Sequence, residues 1–306
     1  MGARSIAAYN PTLTNFASGL AQDLNLRVAE FMAPIVIVPA GIGAYKALDS
    51  KNAFQLYNTD RAMGGPASRI QFKATDPTFD CRPQALEVSI DDAEYDAAGD
   101  ANAARLEQSR IKTLISSAGL AYENKVLTKA KTITAEAGKG VWSDTAVDVI
   151  KEIDEQIEAL SVDCGMMPNR IVMGISTWRV IKNHPKVLER ASSVQSKSLN
   201  LDQFSGMLLN PSIQIRVGMI SKDTAKFGAT KSATNIVGAE LFIFYGQDNP
   251  SEYDPSFMKT FRTKAGGVDA VRTYRDEQSR SIIHAVDWSE DVKITGSACV
   301  KRITLS

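Results

Sequence analysis

The chain has 306 residues, and its 35 lysine and arginine residues balance 35 aspartate and glutamate residues. Hydrophobic residues make up 44% of the sequence, which is enough for one large core or two modest ones. The balanced charge argues against a dedicated nucleic-acid binder, since such proteins concentrate basic residues. No secretory signal stands near the N-terminus, and the longest apolar run, residues 31–43, is too short to cross a bilayer. These features predict a soluble protein made in the cytoplasm, without a membrane partner.

The first thirty residues are polar and mixed, with only scattered apolar side chains. Such a stretch cannot bury much of itself. In an extended conformation it could reach about 100 Å, which is far enough to lie along another subunit. This reach is the first indication of an assembly.

Residues 45–95 show a β pattern with a long tip. Turn-forming residues occupy positions 59–68, and a further strand is predicted over residues 79–90. On both sides of the tip, apolar side chains alternate with polar ones, as in a half-exposed strand: Phe54, Leu56, Ile70, Phe72 and Ala74. A hairpin this polar on both faces does not fold as a domain by itself. We therefore expect it to contact another part of the assembly.

Helical spacing begins near residue 100 and predicts one long helix that ends near residue 131. Its apolar stripe is formed by Ile111, Leu114, Ile115, Ala118, Tyr122 and Val126. About thirty residues make a rod of about 45 Å. A single stripe on a polar rod indicates a helix that lies on one sheet.

The segment after residue 140 alternates between helix and strand patterns. Ser143 or Asp144 would cap its first helix, and Gly165 would end that helix. The predicted order is a helix over 147–160, a buried strand over 171–174, a helix over 176–182 and another helix from Pro185. Further strands are predicted over residues 213–217, 240–245, 257–261, 268–274, 281–288 and 292–303.

The best candidate for a catalytic residue is Ser176, which follows a predicted strand and opens a helix. Asp254 and His284 come later in the chain, in the order of an α/β-hydrolase triad. The nucleophile turn of such enzymes needs a small residue where Trp178 stands, and no glycine-rich oxyanion strand lies upstream. We therefore interpret Ser176 as a helix N-cap and predict no catalytic residues.

Metal and cofactor sites are not predicted either. The three cysteines, Cys81, Cys164 and Cys299, are too few and too scattered for a disulfide framework or a zinc site. Buried free thiols are expected instead. The two histidines lack further ligands at matching spacing, and the glycines at 41 and 43 lack the third glycine of a dinucleotide-binding loop.

Three short stretches of sequence match a known family in chain order. The first is the loop tip, residues 61–66 (RAMGGP), followed by residues 79–92. The second is residues 141–144 (VWSD) before a predicted helix, and the third is residues 168–174 (PNRIVMG) leading to residues 183–188 (NHPKVL). Together with the order of elements, they resemble the major capsid proteins of tailed bacteriophages, which have the Hong Kong 97-type fold.

The resemblance implies an α+β fold with four parts. These are an N-terminal arm over residues 1–45, an extended loop (the E-loop) over 46–95, a peripheral P-domain with a long spine helix over 96–140 and 254–306, and an axial A-domain over 141–253. It also implies a coat protein without enzymatic activity, cofactor or metal. Such a protein self-assembles into the pentamers and hexamers of an icosahedral head that encloses double-stranded DNA.

The residues chosen for intersubunit contact lie at the loop tip. They are Arg61, Met63, Gly64, Gly65 and Pro66. The two glycines supply backbone freedom, and Pro66 then fixes one direction of the chain. Arg61 offers a planar cation that suits a carboxylate on a neighbouring subunit.

The resemblance also suggests partners and a location. A portal is expected, and a separate scaffolding protein as well, because the chain starts directly at the arm. A decoration protein is a further candidate, and the packaged DNA would be contacted non-specifically. Assembly is expected in the host bacterial cytoplasm, and the mature protein in the virion. Two alternatives stay open: an encapsulin-like nanocompartment shell, and a hydrolase that uses Ser176.

Overall fold

The computed structural model describes residues 27–45, 56, 59–61, 63–65, 76–192, 199–226, 228–251, 254–263 and 270–305. The predicted arm up to residue 26 lies outside this part of the chain, as do the predicted loop strand residues Phe54, Ile70, Phe72 and Ala74. Helices and strands alternate within the described residues, so the fold is a mixed α and β fold. None of the helices described is long and apolar enough to span a membrane.

The first sheet is built around one long strand, β12 (Ser281–Ile294). Three strands pair with it in antiparallel fashion: β4 (Arg82–Asp91), β10 (Met258–Thr263) and β11 (Val271–Asp276). Strand β1 (Ile35–Val38) pairs in parallel with β10 and completes the five strands that the described chain contributes to this sheet. Residues far apart in sequence thus form one continuous surface.

The second sheet is formed mainly by the middle of the chain. Its order is β13 (Val300–Thr304), β9 (Glu240–Phe244), β5 (Arg170–Gly174) and β6 (Gln214–Gly218). Every residue of β5 and β9 is buried. One face packs against several helices, and the other face packs against the end of the long helix. The predicted strands of β5, β6 and β9 are confirmed to within one residue at each end.

The last predicted strand, residues 292–303, is divided between the two sheets. Strand β12 continues to Ile294, because β10 pairs with it up to that residue. The chain then turns at Thr295 and Gly296, whose N–H groups donate to the carbonyl of Phe257 at 2.9 and 3.1 Å. A short 3-10 turn, Ser297–Cys299, leads into β13. The predicted separation into strands 281–288 and 292–303 is therefore wrong in where the break falls.

The long helix, Asp100–Ala130, has 31 residues and confirms the predicted rod. All six residues of its predicted stripe are buried. Ile111 and Leu114 in the first half pack near Val286 of the first sheet. Tyr122 and Val126 in the second half belong to a core that also contains residues of the second sheet. The helix therefore joins the two sheets, whereas the sequence predicted that it lies on one.

The helix Val149–Cys164 ends at Gly165, as predicted, and this glycine has a left-handed φ of 71°. Its N-cap is Asp148, whose carboxylate accepts an N–H of the first turn at 3.2 Å, so the predicted caps Ser143 and Asp144 are wrong. Other helices among the described residues are Ala29–Met32, Asp92–Ala98, Ile175–Asn183, Pro185–Ser192 and Leu201–Ser205. The start of one helix at Pro185 confirms the prediction for that residue.

Cys164 and Cys299 form a disulfide, with their Cα atoms 5.2 Å apart and a sequence separation of 135 residues. The expectation of free thiols is wrong for this pair. It is confirmed for Cys81, which is buried and not bonded to another cysteine. The pairing could not be predicted because it depends on where the end of the helix Val149–Cys164 meets the turn Ser297–Cys299.

Residues 28–38 belong to the core of the single chain, although the sequence assigned them to the arm. Val28 and Met32 are each only 1% exposed, and β1 joins the first sheet through β10. Two small pairs of strands complete the described fold: β2 (Ile42–Ala44) with β3 (Thr78–Asp80), and β7 (Ser221–Asp223) with β8 (Ala233–Asn235). Strands β3 and β4 together cover the strand predicted over residues 79–90, with a break at Cys81.

Candidate intersubunit surface

Two apolar side chains in the described part of the loop tip are exposed to solvent. Leu56 is 98% exposed and Met63 is fully exposed. Met63 and Gly64 form a turn in which Gly64 has a φ of 78°. Glycine adopts this left-handed conformation at little cost, and no atom lies within 4 Å of where a Cβ would stand. The conformation of the turn, and not a lack of space, therefore requires glycine here.

Arg61 lies beside this turn and is exposed. Its guanidinium forms no hydrogen bond or ion pair with the described residues. Of the five residues predicted for intersubunit contact, Arg61, Met63, Gly64 and Gly65 follow one another around the tip, whereas Pro66 lies outside the described residues. A cation next to an exposed thioether offers another subunit both a charged and an apolar contact.

A second feature is the set of contacts that fixes the backbone of residues 28–31 in the core, next to the N-terminal segment. The carboxylate of Glu123, on the long helix, accepts the N–H groups of Val28 and Ala29 at 2.9 and 3.0 Å. Burial raises the pKa of the Glu123 carboxyl, and the two N–H donors oppose that rise. The guanidinium of Arg170 donates to the carbonyl of Phe31 at 2.8 Å and lies over its ring. The chain before Val28 therefore starts from a firmly held position.

Sequence reasoning missed this anchor. The available signal was the apolar spacing of Val28, Ala29, Phe31 and Met32, two residues before a proline. No signal pointed to Glu123, because its partners lie about 95 residues earlier in the chain. A buried carboxylate whose oxygens both accept backbone N–H groups is recognised only after the fold brings them together.

Ser176 is not a helix N-cap, and the capping prediction is wrong. The helix Ile175–Asn183 has Gly174 at its N-cap position and no side-chain cap. The Ser176 hydroxyl donates instead to the carbonyl of Gly238 at 3.1 Å. The same carbonyl oxygen lies 1.7 Å from where a Cβ on residue 174 would stand. The Gly-x-Ser pattern thus results from the close approach of two backbone segments.

Asp254 and His284, the other residues of the hydrolase-like order Ser–Asp–His, have partners of their own. Lys259, which is fully buried, binds Asp254 at 3.0 Å. Burial favours the neutral acid, but the hydrogen-bond donors around it outweigh burial and lower the pKa of Asp254. His284 lies within β12, with its Nδ1 3.1 Å from the hydroxyl of Thr273, and burial lowers its pKa. Ser176 follows β5 of the other sheet, so the structure does not assemble a triad.

One curated protein is similar to the chain over almost its whole length. The sequence is 25% identical over 298 residues to the major capsid protein of Burkholderia phage BcepMu. The matched region covers 91% of this chain and 90% of that protein. No protein-family model matches the sequence.

Solved structures share the fold. A phage-related protein from Bordetella bronchiseptica is 24% identical, with a TM-score of 0.74 and 98% of both chains covered. The mature capsid of bacteriophage PhiM1 gives 13% identity and a TM-score of 0.56, with 91% and 86% covered. An encapsulin complex from Synechococcus elongatus gives 10% identity and a TM-score of 0.52, with 99% and 92% covered.

The chain thus shares its fold with a phage capsid protein and with a protein of an encapsulin complex. The similarity to the curated relative, together with the shared fold, supports the interpretation of the chain as a tailed-phage major capsid protein. This confirms the resemblance found in the three short stretches of sequence. The role of a capsid protein is structural, and it depends on contacts between copies.

Proposed function

We propose that copies of this chain form the pentamers and hexamers of an icosahedral phage head that encloses double-stranded DNA. The observation that carries the proposal is the exposed loop tip, where Leu56 and Met63 leave apolar surface in water. A single chain gains nothing from such exposure. A neighbouring subunit that covers the tip would remove this surface from water, which is favourable.

The energy of one such contact is modest, and the number of contacts makes it effective. Covering the side chain of Met63 contributes about 1.5–3 kcal/mol. In a closed shell every subunit contacts several others, and linked contacts reinforce one another without any single strong one. Arg61 adds a contact that depends on the position of a carboxylate on the neighbour. The balanced charge of the chain limits repulsion between many copies.

The division into four parts is also part of this proposal, with two refinements. The arm would end before Val28, since residues 28–38 are core. The E-loop over 46–95, the P-domain over 96–140 and 254–306, and the A-domain over 141–253 follow the predicted bounds. Two strands pair across these bounds. Strand β4, within the E-loop bounds, pairs with β12 of the P-domain, and β13, within the P-domain bounds, pairs with β9 of the A-domain.

The proposed partners are those that the phage relatives imply. They are a portal, a separate scaffolding protein, a decoration protein, and packaged DNA contacted without sequence specificity. The protein would assemble in the cytoplasm of a host bacterium and reside in the virion. The support is the similarity to a phage major capsid protein over nearly the whole chain.

A nanocompartment shell is the second candidate, because the encapsulin complex shares the fold. The two candidates differ in what the shell contains. Nuclease-protected DNA inside particles, together with genes for a portal and a terminase beside this one, would support the phage head. A packaged cargo enzyme without DNA would support the nanocompartment.

The test is negative-stain microscopy of the purified protein, alone and co-expressed with the products of its neighbouring genes. Closed particles are expected for the natural chain and for Met63→Leu, which keeps an apolar side chain of similar volume. Met63→Asp should remain as free subunits, because the contact would then bury a charge. Free subunits for the natural chain under both conditions would contradict the proposal.

A further inference from the structure

We propose that the Cys164–Cys299 pair is a redox-controlled cross-link that stays open in the cell and closes when the shell meets an oxidising medium. The inference rests on the proposed assembly in a bacterial cytoplasm, where thiols are kept reduced. A disulfide in the folded chain would then form after folding and assembly. It would be a covalent modification that strengthens a finished particle.

The folded chain already places the two cysteines for this reaction. Their Cα atoms are 5.2 Å apart, within the range of about 4.4–6.8 Å that a disulfide spans. Cys164 is the last residue of the helix Val149–Cys164, which packs on the second sheet. Cys299 ends the 3-10 turn Ser297–Cys299, where the chain passes from the first sheet to the second. The bond therefore links the helix on the second sheet to the turn at which the chain passes from the first sheet to the second.

A surface depression of about 430 Å³ provides an approach to this pair. Both cysteines are buried, at 2% and 0% exposure, so a reagent needs a path beside them. The depression is lined by the residue before Cys164 and by residues on both sides of Cys299, together with others: Ile133, Thr134, Glu136, Asp163, Ser297, Ala298, Val300 and Lys301. A local opening of the turn would expose the sulfur atoms to a small molecule in this depression.

The reaction is a pair of thiol–disulfide exchanges with a small-molecule disulfide, such as oxidised glutathione, as the oxidant. One cysteine thiolate attacks the small disulfide, forms a mixed disulfide and releases one small thiol. The other cysteine thiolate attacks the mixed disulfide, forms the Cys164–Cys299 bond and releases the second small thiol. The protein pair loses two electrons, and the oxidant gains them as two thiols.

The cross-link should change stability because of the length of chain that it closes. The two cysteines are 135 residues apart, and longer loops lose more freedom in the unfolded chain when they are closed. For a chain of this size the oxidised protein should melt roughly 5–10 °C above the reduced protein. Cys81 provides an internal control, since it is buried and donates from its thiol to the carbonyl of Phe261 at 3.4 Å.

The test compares labelling of the three cysteines before and after oxidation. Cells that produce the protein are lysed directly into denaturant with N-ethylmaleimide, and labelled peptides are measured by mass spectrometry. All three cysteines should be labelled. Particles purified in a reducing buffer are then incubated with oxidised glutathione, denatured and labelled, and only Cys81 should react. A bond already present at lysis, or a pair that stays reduced with oxidised glutathione, would overturn the inference.

Melting curves of the same samples provide the second measurement. Oxidation should raise the melting temperature of the natural chain and of Cys81→Ala, but not that of Cys299→Ala. An equal rise in Cys299→Ala would overturn the inference as well. Labelling and melting are also measured on unassembled full-length chains. Absence of particles in the microscope would therefore contradict the proposed function alone, whereas particles with a pair that cannot be oxidised would contradict only this inference.

Discussion

The central strands of the second sheet differ from two strands of the first sheet in how completely one chain covers them. Every residue of β5 and β9 in the second sheet is buried, and apolar clusters lie on both faces. In the first sheet, β4 and β11 bury only one residue each. Their apolar neighbours include the first half of the long helix. The two central strands of the second sheet are thus covered within a single chain, whereas β4 and β11 of the first sheet leave surface available to neighbours.

This difference suggests that separate regions of the molecule serve folding and assembly. Stability of the single chain should depend on the second sheet and on the core that the long helix shares with it. Assembly should depend on the loop before β4 and on the exposed part of the first sheet. Substitutions in the second sheet should therefore mainly lower the stability of the single chain. Substitutions in the loop and in the exposed part of the first sheet should mainly reduce the formation of particles.

The largest expected effect is that of Phe244→Ala in the second sheet. Phe244 is fully buried between Phe31 and Phe257, so its loss leaves a cavity. We expect a loss of about 3–5 kcal/mol in the free energy of unfolding, measured by urea titration. The matched change in the first sheet, Tyr274→Ala, removes a side chain that is 36% exposed and should cost about 1 kcal/mol. Equal losses would contradict the comparison of the sheets.

The next effect is expected at the end of β5. Gly174→Ala would place a Cβ 1.7 Å from the carbonyl oxygen of Gly238, and backbone must shift to accept it. A cost of about 3 kcal/mol is expected in the same titration. Ser176→Ala removes one hydrogen bond to the same carbonyl and should cost about 1 kcal/mol. If Ser176→Ala is the more damaging of the two, the close approach is not the reason for the glycine.

A smaller, pH-dependent effect is expected from His284 in the first sheet. Burial lowers the pKa of His284 below its ordinary value of 6.5. Between that lowered value and 6.5 the unfolded chain binds more protons than the folded chain, so stability decreases as the pH falls through this range. Above it, this group has no effect on the pH dependence. The check is a series of urea titrations from about pH 7.5 to about pH 5.

His284→Gln is the control for this series. The variant cannot take up a proton at residue 284, so its stability should fall less over the same pH range. The quantity compared between the two proteins is the change in the free energy of unfolding with pH, and not its absolute value. An identical slope in both proteins would show that other groups cause the pH dependence.

The smallest effect on the single chain is expected at the loop tip. Arg61→Ala should change the free energy of unfolding of the unassembled chain by less than about 0.5 kcal/mol, because the tip contributes nothing to the core. It should lower the yield or the melting temperature of particles, and more strongly at low salt, since screening at high salt already weakens an ion pair. Particles that form and melt like those of the natural chain at every salt concentration would leave Arg61 as ordinary surface.

Local patterns in the sequence were sufficient for several of the regular elements. The 31-residue helix was predictable because one apolar stripe continues through it. Strands β5, β6 and β9 of the second sheet were predictable because short apolar runs lie between turn residues. The helix end at Gly165 followed from the conformational freedom of glycine. Each of these features depends on residues a few positions apart.

Features that join distant parts of the chain were decided only by the tertiary structure. Glu123 holds backbone groups about 95 residues away, and Cys164 reaches Cys299 across 135 residues. The glycine at position 174 is required by a carbonyl in another segment. Sequence spacing carries no information about such contacts, because they depend on how separately formed elements pack. The sequence by itself determined the long helix, the strands β5, β6 and β9 and the resemblance to phage capsid proteins. Packing decided where residues 28–38 lie, which cysteines pair and what Ser176 does.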